Sequence, residues 1–156
     1  MTIQIPLTQG MVALIDDEDF GQVSQFKWCA SKRINGRFYA RRKANHKFIY
    51  LHRFLMDAPH DMEVDHIDGD GLNCQRYNMR QATHANNLKN RRRHSNNTSG
   101  SKGVSFKVSA GKYISGILAN GVHHYLGLYS DPVEAARAYD AAARKLHGDF
   151  ATLNFP

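Results

Sequence analysis

The chain has 156 residues, of which 42% are hydrophobic and 22% are charged, and its formal net charge is +7. This length suits one domain or a few small modules, and no stretch approaches the ~18 uninterrupted apolar residues of a membrane helix. The first residues lack the layout of a signal peptide, and two cysteines are too few for a disulfide scaffold or a four-cysteine zinc site. We therefore expect a cytoplasmic protein without a membrane partner.

The charges are segregated along the chain. Residues 20–56 contain nine Lys or Arg and no acid, and residues 71–130 contain another nine, again with no acid. Between them, residues 57–70 contain six acids and no Lys or Arg. Two basic tracts around a compact acidic segment indicate a polyanion surface next to a cation-binding centre, whereas composition alone equally allows a solvated basic face.

The N-terminal tract is predicted to be β-rich. Strand-like runs at 28–33 and 37–43 flank Asn35-Gly36, a dipeptide that accepts the positive φ angles of a tight turn. A second turn leads to a strand over 47–51, and a short helix is expected over 52–56. The basic side chains of this three-stranded meander stand among aromatic ones, and its candidate DNA contacts are Arg41 and Arg42.

The centre of the chain carries the sequence VDHIDGDGLNCQRYNMRQATHANN at positions 64–87. It resembles the HNH nuclease motif, in the variant of homing-type endonucleases whose last position is Asn. The resemblance places Asp65 and His66 at the opening of the site on a strand. It makes Asn78 the structural middle residue and puts Asn87 on the closing helix.

These residue types suit phosphodiester hydrolysis. An imidazole with a pKa of ~6.5 can accept the proton of an attacking water, and the resemblance gives this role to His66. The Asp65 carboxylate and the Asn87 amide oxygen can hold a hard divalent cation, Mg²⁺ or Mn²⁺. Asn78 can pin the intervening loop through its amide group. His52 also fits a position that such nucleases often fill.

Several alternatives stay open at this site. Adjacent strand residues point to opposite faces, so Asp65 and His66 share one site only if the strand bulges or ends there. Asp68 and Asp70 are alternative carboxylates, although their glycine neighbours favour a role as turn formers. We interpret Cys74, where the family often has Asn, as a small core residue.

A basic run follows the motif. Lys89, Arg91, Arg92 and Arg93 extend from the expected site helix, and we interpret them as contacts to the phosphates beside the scissile bond. A solvated helix face is the alternative. The small polar residues at 94–101 predict a linker.

The C-terminal tract, residues 102–156, predicts a second three-stranded meander followed by a helix. Its strands are expected over 103–108, 112–118 and 123–129. The helix should begin with Asp131 as N-cap and Pro132 in the first turn, and it should end at Gly148. Its alanine-rich body lets it lie close against the sheet.

Residues 98–156 resemble the ethylene-response-factor (APETALA-type) DNA-binding domain, which also occurs fused to HNH nucleases. The matching segments are Lys102-Gly103-Val104, Gly111-Lys112-Tyr113, Tyr125-Leu126-Gly127, 135–142 and 153–156. The resemblance implies that the sheet lies in the major groove of double-stranded DNA, with the helix behind it. The candidate DNA contacts are Lys102, Ser105, Lys107, Lys112, Tyr113, Ser115, His123 and Tyr125. Packing is the alternative for the two tyrosines. Because Lys, Ser and His mostly hold phosphates, we expect lower or different base specificity than in the plant proteins.

An internal similarity links the two basic tracts. Residues 36–51 and 111–126 match at five positions at an offset of 75 residues. We hypothesise that both tracts are three-stranded sheets of one design, each able to lie in a DNA groove.

The sequence therefore predicts an α+β chain. Its parts are an N-terminal β meander (1–56), a ββα-metal nuclease core (57–93), a linker (94–101) and a DNA-binding sheet with one packed helix (102–156). The predicted function is that of a metal-dependent, homing-type DNA endonuclease, which nicks DNA as a monomer or cuts both strands as a homodimer. A DNA-binding regulator with an inactive core is one alternative. The other is a zinc-stabilised binding module that uses some of the nine histidines.

Overall fold

A computed structural model describes residues 1–34, 36–89 and 97–156 of the chain. The chain divides into two compact units, Met1–Asn87 and Leu88–Pro156. The architecture is α+β, with small antiparallel sheets throughout and one long helix near the C-terminus, as predicted. Within the described residues, no helix is both long and apolar enough to cross a membrane.

The first unit begins with two small antiparallel sheets. A hairpin of β1 (Thr2–Pro6) and β2 (Val12–Asp16) is followed by the short helix α1 (Phe20–Val23). Then come β3 (Cys29–Lys32), β4 (Phe38–Ala44) and β5 (Lys47–Tyr50), which pair in the order β3-β4-β5. The predicted meander is thus confirmed, although Asn35 in its first turn lies outside the described residues.

The remainder of this unit has the order strand, strand, helix. Helix α2 (Leu51–Met56) leads to β6 (Glu63–His66), which pairs antiparallel with β7 (Met79–Ala82), and α3 (His84–Lys89) follows. The loop between β6 and β7 docks on β2 through backbone hydrogen bonds from Leu14 to Leu72 and from Cys74 to Leu14.

One hydrophobic cluster holds the first unit together. It includes Ile15 from β2, Trp28 beside β3, Leu51 from α2, and Val64 and Met79 from the β6–β7 pair. The expected N-terminal region, 1–56, therefore shares a core with residues 57–87 of the expected nuclease core, because neither the meander nor the short β6–β7 pair buries enough apolar surface alone.

The second unit is a three-stranded sheet with a helix packed on it. Strands β8 (Val104–Lys107), β9 (Lys112–Ala119) and β10 (Val122–Tyr129) pair in that order, and helix α4 (Pro132–His147) packs against all three. The Asp131 carboxylate caps the helix by accepting hydrogen bonds from the backbone N–H groups of Val133 and Glu134. The predicted helix start and its end before Gly148 are confirmed.

Gly103 is required where the sheet meets α4. Its φ is +73°, and a Cβ atom there would lie 2.0 Å from the Tyr139 ring. Residues 97–101, which we expected to belong to a linker, instead hydrogen-bond to the start of β8, since Asn97 Nδ2 and Ser99 Oγ both donate to the Val104 carbonyl. The rest of the expected linker, residues 94–96, lies outside the described residues.

The two sheets share one pairing register. Ala44 pairs with Lys47 in the first, and Ala119 pairs with Val122 in the second. All four β4–β5 pairs reappear in β9–β10 at the offset of 75 residues. The first residues of the two turns, which both have positive φ, are Asn45 and Asn120. The prediction of a common meander design is confirmed, whereas DNA binding by both sheets stays a prediction.

Candidate active site

Strand β6 sets the directions of the predicted catalytic side chains. It pairs with β7 in regular register and ends at His66. Glu63 and Asp65 lie on one face of the strand, and Val64 and His66 lie on the other. The strand therefore does not bulge. It ends at His66, which is one of the two conditions under which neighbouring residues can serve one site.

The Asp65 carboxylate is buried and held by an arginine. Arg80, its cross-strand neighbour on β7, donates to Asp65 Oδ2 from Nε at 2.9 Å and from Nη2 at 2.7 Å. The Asp65 side chain is only 5% exposed, so this ion pair fixes the carboxylate in a poorly solvated place.

The His66 ring packs against two other rings. It meets the Tyr39 ring at 5.9 Å and the His52 ring at 5.1 Å between centroids, both edge-on. Its Nε2 atom lies 4.0 Å from the Cys74 sulfur. Burial lowers the pKa of His66, against the opposing effect of nearby carboxylates such as Asp68. The imidazole is thus neutral at pH 7, as a proton acceptor must be.

Asn78 ties down the loop that follows β6. Its Oδ1 accepts a hydrogen bond from the Asp68 backbone N–H at 3.0 Å, and its Nδ2 donates to the Asn73 carbonyl at 2.8 Å. Asp68 and Asp70 also accept hydrogen bonds from backbone N–H groups two residues ahead, which is the turn-forming behaviour expected of them. Burial raises the pKa of the Cys74 thiol to about 12, so this cysteine is held as an inert thiol.

Asn87 on α3 contacts a residue that the sequence did not single out. Its Nδ2 donates to Oε2 of Glu63, while Glu63 Oε1 pairs with His84 Nδ1 at 2.7 Å. The hydrogen bond from Asn87, followed by that from His84, lowers the pKa of Glu63. Glu63 was visible only as a member of the acidic segment, and its position two residues before Asp65 is the signal that could have marked it.

A cavity of about 540 Å³ opens beside these groups. Its lining includes His52, Tyr39, Tyr50, Glu63 and Asn87. The His52 ring stacks on Tyr50 at 5.6 Å, and its Nδ1 is buried without a hydrogen-bond partner among the described residues. Burial, followed by the nearby His66 and basic side chains, lowers the pKa of His52 to about 3.

The predicted site residues thus have separate partners. Asp65 is held by Arg80, His66 packs against the rings of Tyr39 and His52, and Asn87 donates to Glu63. In the described parts of the chain, no group of three or more His, Cys, Asp or Glu stands ready to hold a metal ion. Asn87 is not one of these four residue types. A cation held by Asp65 and Asn87 would therefore complete its coordination with oxygen atoms of the substrate or of water.

The predicted DNA contacts of the C-terminal sheet fall on two faces. Those on its exposed outer face, away from α4, are Ser105, Lys107, Lys112, His123 and Tyr125. Ser115, by contrast, is wholly buried and Tyr113 packs against Val104, because alternate strand residues face the helix. These two side chains lie in the core rather than on the face open to DNA.

Three other predicted contacts are placed as follows. Lys102 is partly buried, donates from Nζ to the Lys89 carbonyl at 2.9 Å, and has its pKa lowered by burial to about 8. Arg42 lies on the core side of β4, with its guanidinium 3.8 Å from the Phe26 ring centroid. Arg41 lies on the opposite, outer side. Arg91, Arg92 and Arg93 lie outside the described residues.

A hairpin whose first strand ends in Asp-His, a loop pinned by Asn, and a following helix that carries Asn together define an HNH-type nuclease. A comparison with known proteins agrees, and the chain belongs to the HNH endonuclease family. It is 33% identical over 147 residues to the uncharacterized HNH endonuclease L560 of Acanthamoeba polyphaga mimivirus. The aligned region covers 94% of this chain and 76% of that protein. No protein-family model matches the chain, and no solved structure matches it. Membership supports a nuclease activity.

Proposed function

We propose that the chain hydrolyses a phosphodiester bond of double-stranded DNA with His66 as general base. The observation that carries this proposal is the buried, neutral imidazole at the end of β6, directly after Asp65. Such a group can take a proton from water near pH 7, because burial lowers its pKa and so favours the neutral form. Tyr39 and His52 border the ring and limit its rotation.

The residues Asp65 and Asn87 fit a hard divalent cation, for which we propose Mg²⁺ or Mn²⁺. Both offer oxygen atoms, the donors that these ions prefer. Because the Asn87 amide nitrogen donates to Glu63, its carbonyl oxygen is the atom left to act as a ligand. When bound, the cation supplies positive charge for the phosphate and the departing oxygen. Arg80 holds the Asp65 carboxylate in a fixed orientation.

We further propose that the C-terminal unit is an ethylene-response-factor type DNA-binding domain. Its connectivity of three strands and a helix supports this, together with the basic and aromatic side chains of its outer face. On that face Lys107 and Lys112 would hold phosphates, and Ser105, His123 and Tyr125 would approach base edges or sugars. Lys89 and the basic run at 91–93 would add phosphate contacts.

One site of this kind acts on one strand. A monomer is therefore expected to nick, and cutting both strands would need a homodimer or two encounters. This expectation follows from the single Asp-His, Asn and Asn set in the sequence.

Nicking of supercoiled plasmid tests the proposal. The purified chain should convert plasmid to the open circle with Mg²⁺ or Mn²⁺ and should stop on addition of EDTA, and His66→Ala should bind DNA without nicking it. Unchanged DNA binding with no cation-stimulated nicking by the natural chain would identify a DNA-binding regulator with an inactive core instead.

A further inference from the structure

The outer face of the β3–β5 sheet carries positive charge toward solvent. Cross-strand pairing places Cys29, Arg41 and Tyr50 in one row of this face, and Lys43 pairs with Phe48 in the next. Lys43 is exposed, and the Arg41 guanidinium lies 3.8 Å from the Phe48 ring centroid. Residues 20–56 contain no acid, so no carboxylate of this tract competes for these cations.

Aromatic rings position the arginines for contact with an anion. A guanidinium over an aromatic ring keeps N–H donors available to other groups, and its donor fork suits bidentate contact with two phosphate oxygens. Arg33 adds a second such pair, because its guanidinium lies 5.0 Å from the centroid of the Tyr50 ring. Arg42, on the other side of the same strand, is instead packed among core aromatics.

The outer face is continuous with the candidate active site. Tyr39 lies on this face and its ring meets His66, while Tyr50 stacks on His52. From Tyr39 to Lys43 the strand advances by four residues, or about 14 Å. That span equals about four base-pair steps of a DNA strand.

We propose that the outer face of β3–β5 binds the phosphate backbone of duplex DNA beside the scissile bond. Arg41 and Lys43 contact phosphates about two steps apart along one strand, and Arg33 contacts the phosphate nearest the cavity. This inference rests on the proposed endonuclease function and adds a second DNA surface to that of the C-terminal sheet. The ligand is a phosphodiester backbone, so no base preference arises from this face.

A matched pair of lysine variants tests the surface. Lys43 and Lys47 lie in the same hairpin and are both exposed, but Lys47 pairs with Ala44 and so lies on the opposite face. Binding of the full chain to a fluorescent duplex is measured in EDTA, so that cutting cannot contribute. For Lys43→Gln, the slope of log affinity against log salt should fall by about 0.9. The loss of DNA affinity relative to the natural chain should therefore shrink by about 3.5-fold between 50 and 200 mM salt. Lys47→Gln should leave the slope unchanged. The proposal would be overturned if the natural chain and the two variants had equal slopes, or if the slope fell equally in both variants.

The natural cysteines provide a second, mutation-free measurement. Cys29 is exposed on the outer face, whereas Cys74 is buried with its thiol pKa raised to about 12, so a maleimide should label Cys29 selectively. Saturating duplex in EDTA should slow this labelling at least fivefold, whereas an acidic polypeptide of equal charge should not. An unchanged rate would refute contact with this face, and equal protection by the polypeptide would assign the face to an acidic protein.

The two proposals fail in distinguishable ways. Protection of Cys29 without nicking by the natural chain would remove the nuclease function and leave the surface. Cation-dependent nicking with an unprotected Cys29 would do the reverse.

Discussion

Replacing Glu63 with Gln is expected to weaken cation binding at Asn87. The carboxylate of Glu63 accepts from Asn87 on one oxygen and pairs with His84 on the other. It thereby holds the amide nitrogen of Asn87 and leaves the amide oxygen facing away from Glu63. The Gln side chain keeps the shape but has no charge and only one acceptor oxygen, so its hydrogen bond to Asn87 is weaker than that of the carboxylate and its amide group can take the place of an acceptor beside Asn87.

The size of the effect follows from that arrangement. Residues that orient a metal ligand typically change affinity 10- to 100-fold when they are replaced, which is about 1.4–2.7 kcal/mol. We expect the upper part of this range if Asn87 turns its nitrogen toward the cation, and the lower part if it only becomes mobile. His84→Gln removes a contact on the far oxygen of Glu63 and should cost less than threefold.

Mn²⁺ binding to the DNA-free protein, followed by the electron paramagnetic resonance signal of the free ion, measures this directly. The Mn²⁺ concentration for half-maximal plasmid nicking should shift in the same order, with Asn87→Ala at least as impaired as Glu63→Gln. Equal Mn²⁺ affinities for the natural chain and Glu63→Gln would refute the role of Glu63. A larger loss in His84→Gln than in Glu63→Gln would refute it as well.

Three further expectations concern pH and packing. Because the pKa of His66 is lowered, nicking should stay level from pH 8 to 7 and fall only in more acidic solution; a rate that halves between pH 8 and 7 would argue against this base. The pKa of His52 falls from 6.5 to about 3 on folding, so the unfolded chain binds the extra proton below pH 6.5 and stability decreases with acid. This group alone should cost about 2 kcal/mol of unfolding free energy at pH 5 relative to pH 8, and His52→Gln should remove that share of the pH dependence in urea titrations. Gly103→Ala should destabilise the second unit by about 3 kcal/mol through strain at positive φ and collision with Tyr139, and an unchanged urea midpoint would contradict this packing.

Local signals in the sequence were sufficient to predict the two meanders and the C-terminal helix. The capped helix after Asp131 and the meanders around residues 38–50 and 112–129 were predicted because caps, turn dipeptides and alternation act over a few residues. The β1–β2 hairpin was included only in a general β-rich region. Its role depends on the contact between Leu14 and the β6–β7 loop, which no local pattern encodes.

The sequence predicts the residues of the candidate site but not their contact partners. The motif spacing identified Asp65, His66 and Asn87. Pairing of Asp65 with Arg80 depends on strand register, and contact of Asn87 with Glu63 depends on how α3 crosses β6. Both are tertiary facts. The prediction that Ser115 contacts DNA was wrong for the same reason. The resemblance gave its position in the sequence but not the face of the sheet to which its side chain points.

The central claim is that the His66 imidazole accepts the proton of the attacking water, and chemical rescue tests it most directly. The nicking rate of His66→Ala is measured with Mn²⁺ while free imidazole is added, beside Asn87→Ala as the control. We predict that imidazole restores nicking in His66→Ala in proportion to its unprotonated fraction, with no effect on Asn87→Ala. Undiminished nicking by His66→Ala without imidazole would contradict it, and so would a failure of rescue in a variant that still binds Mn²⁺ and DNA.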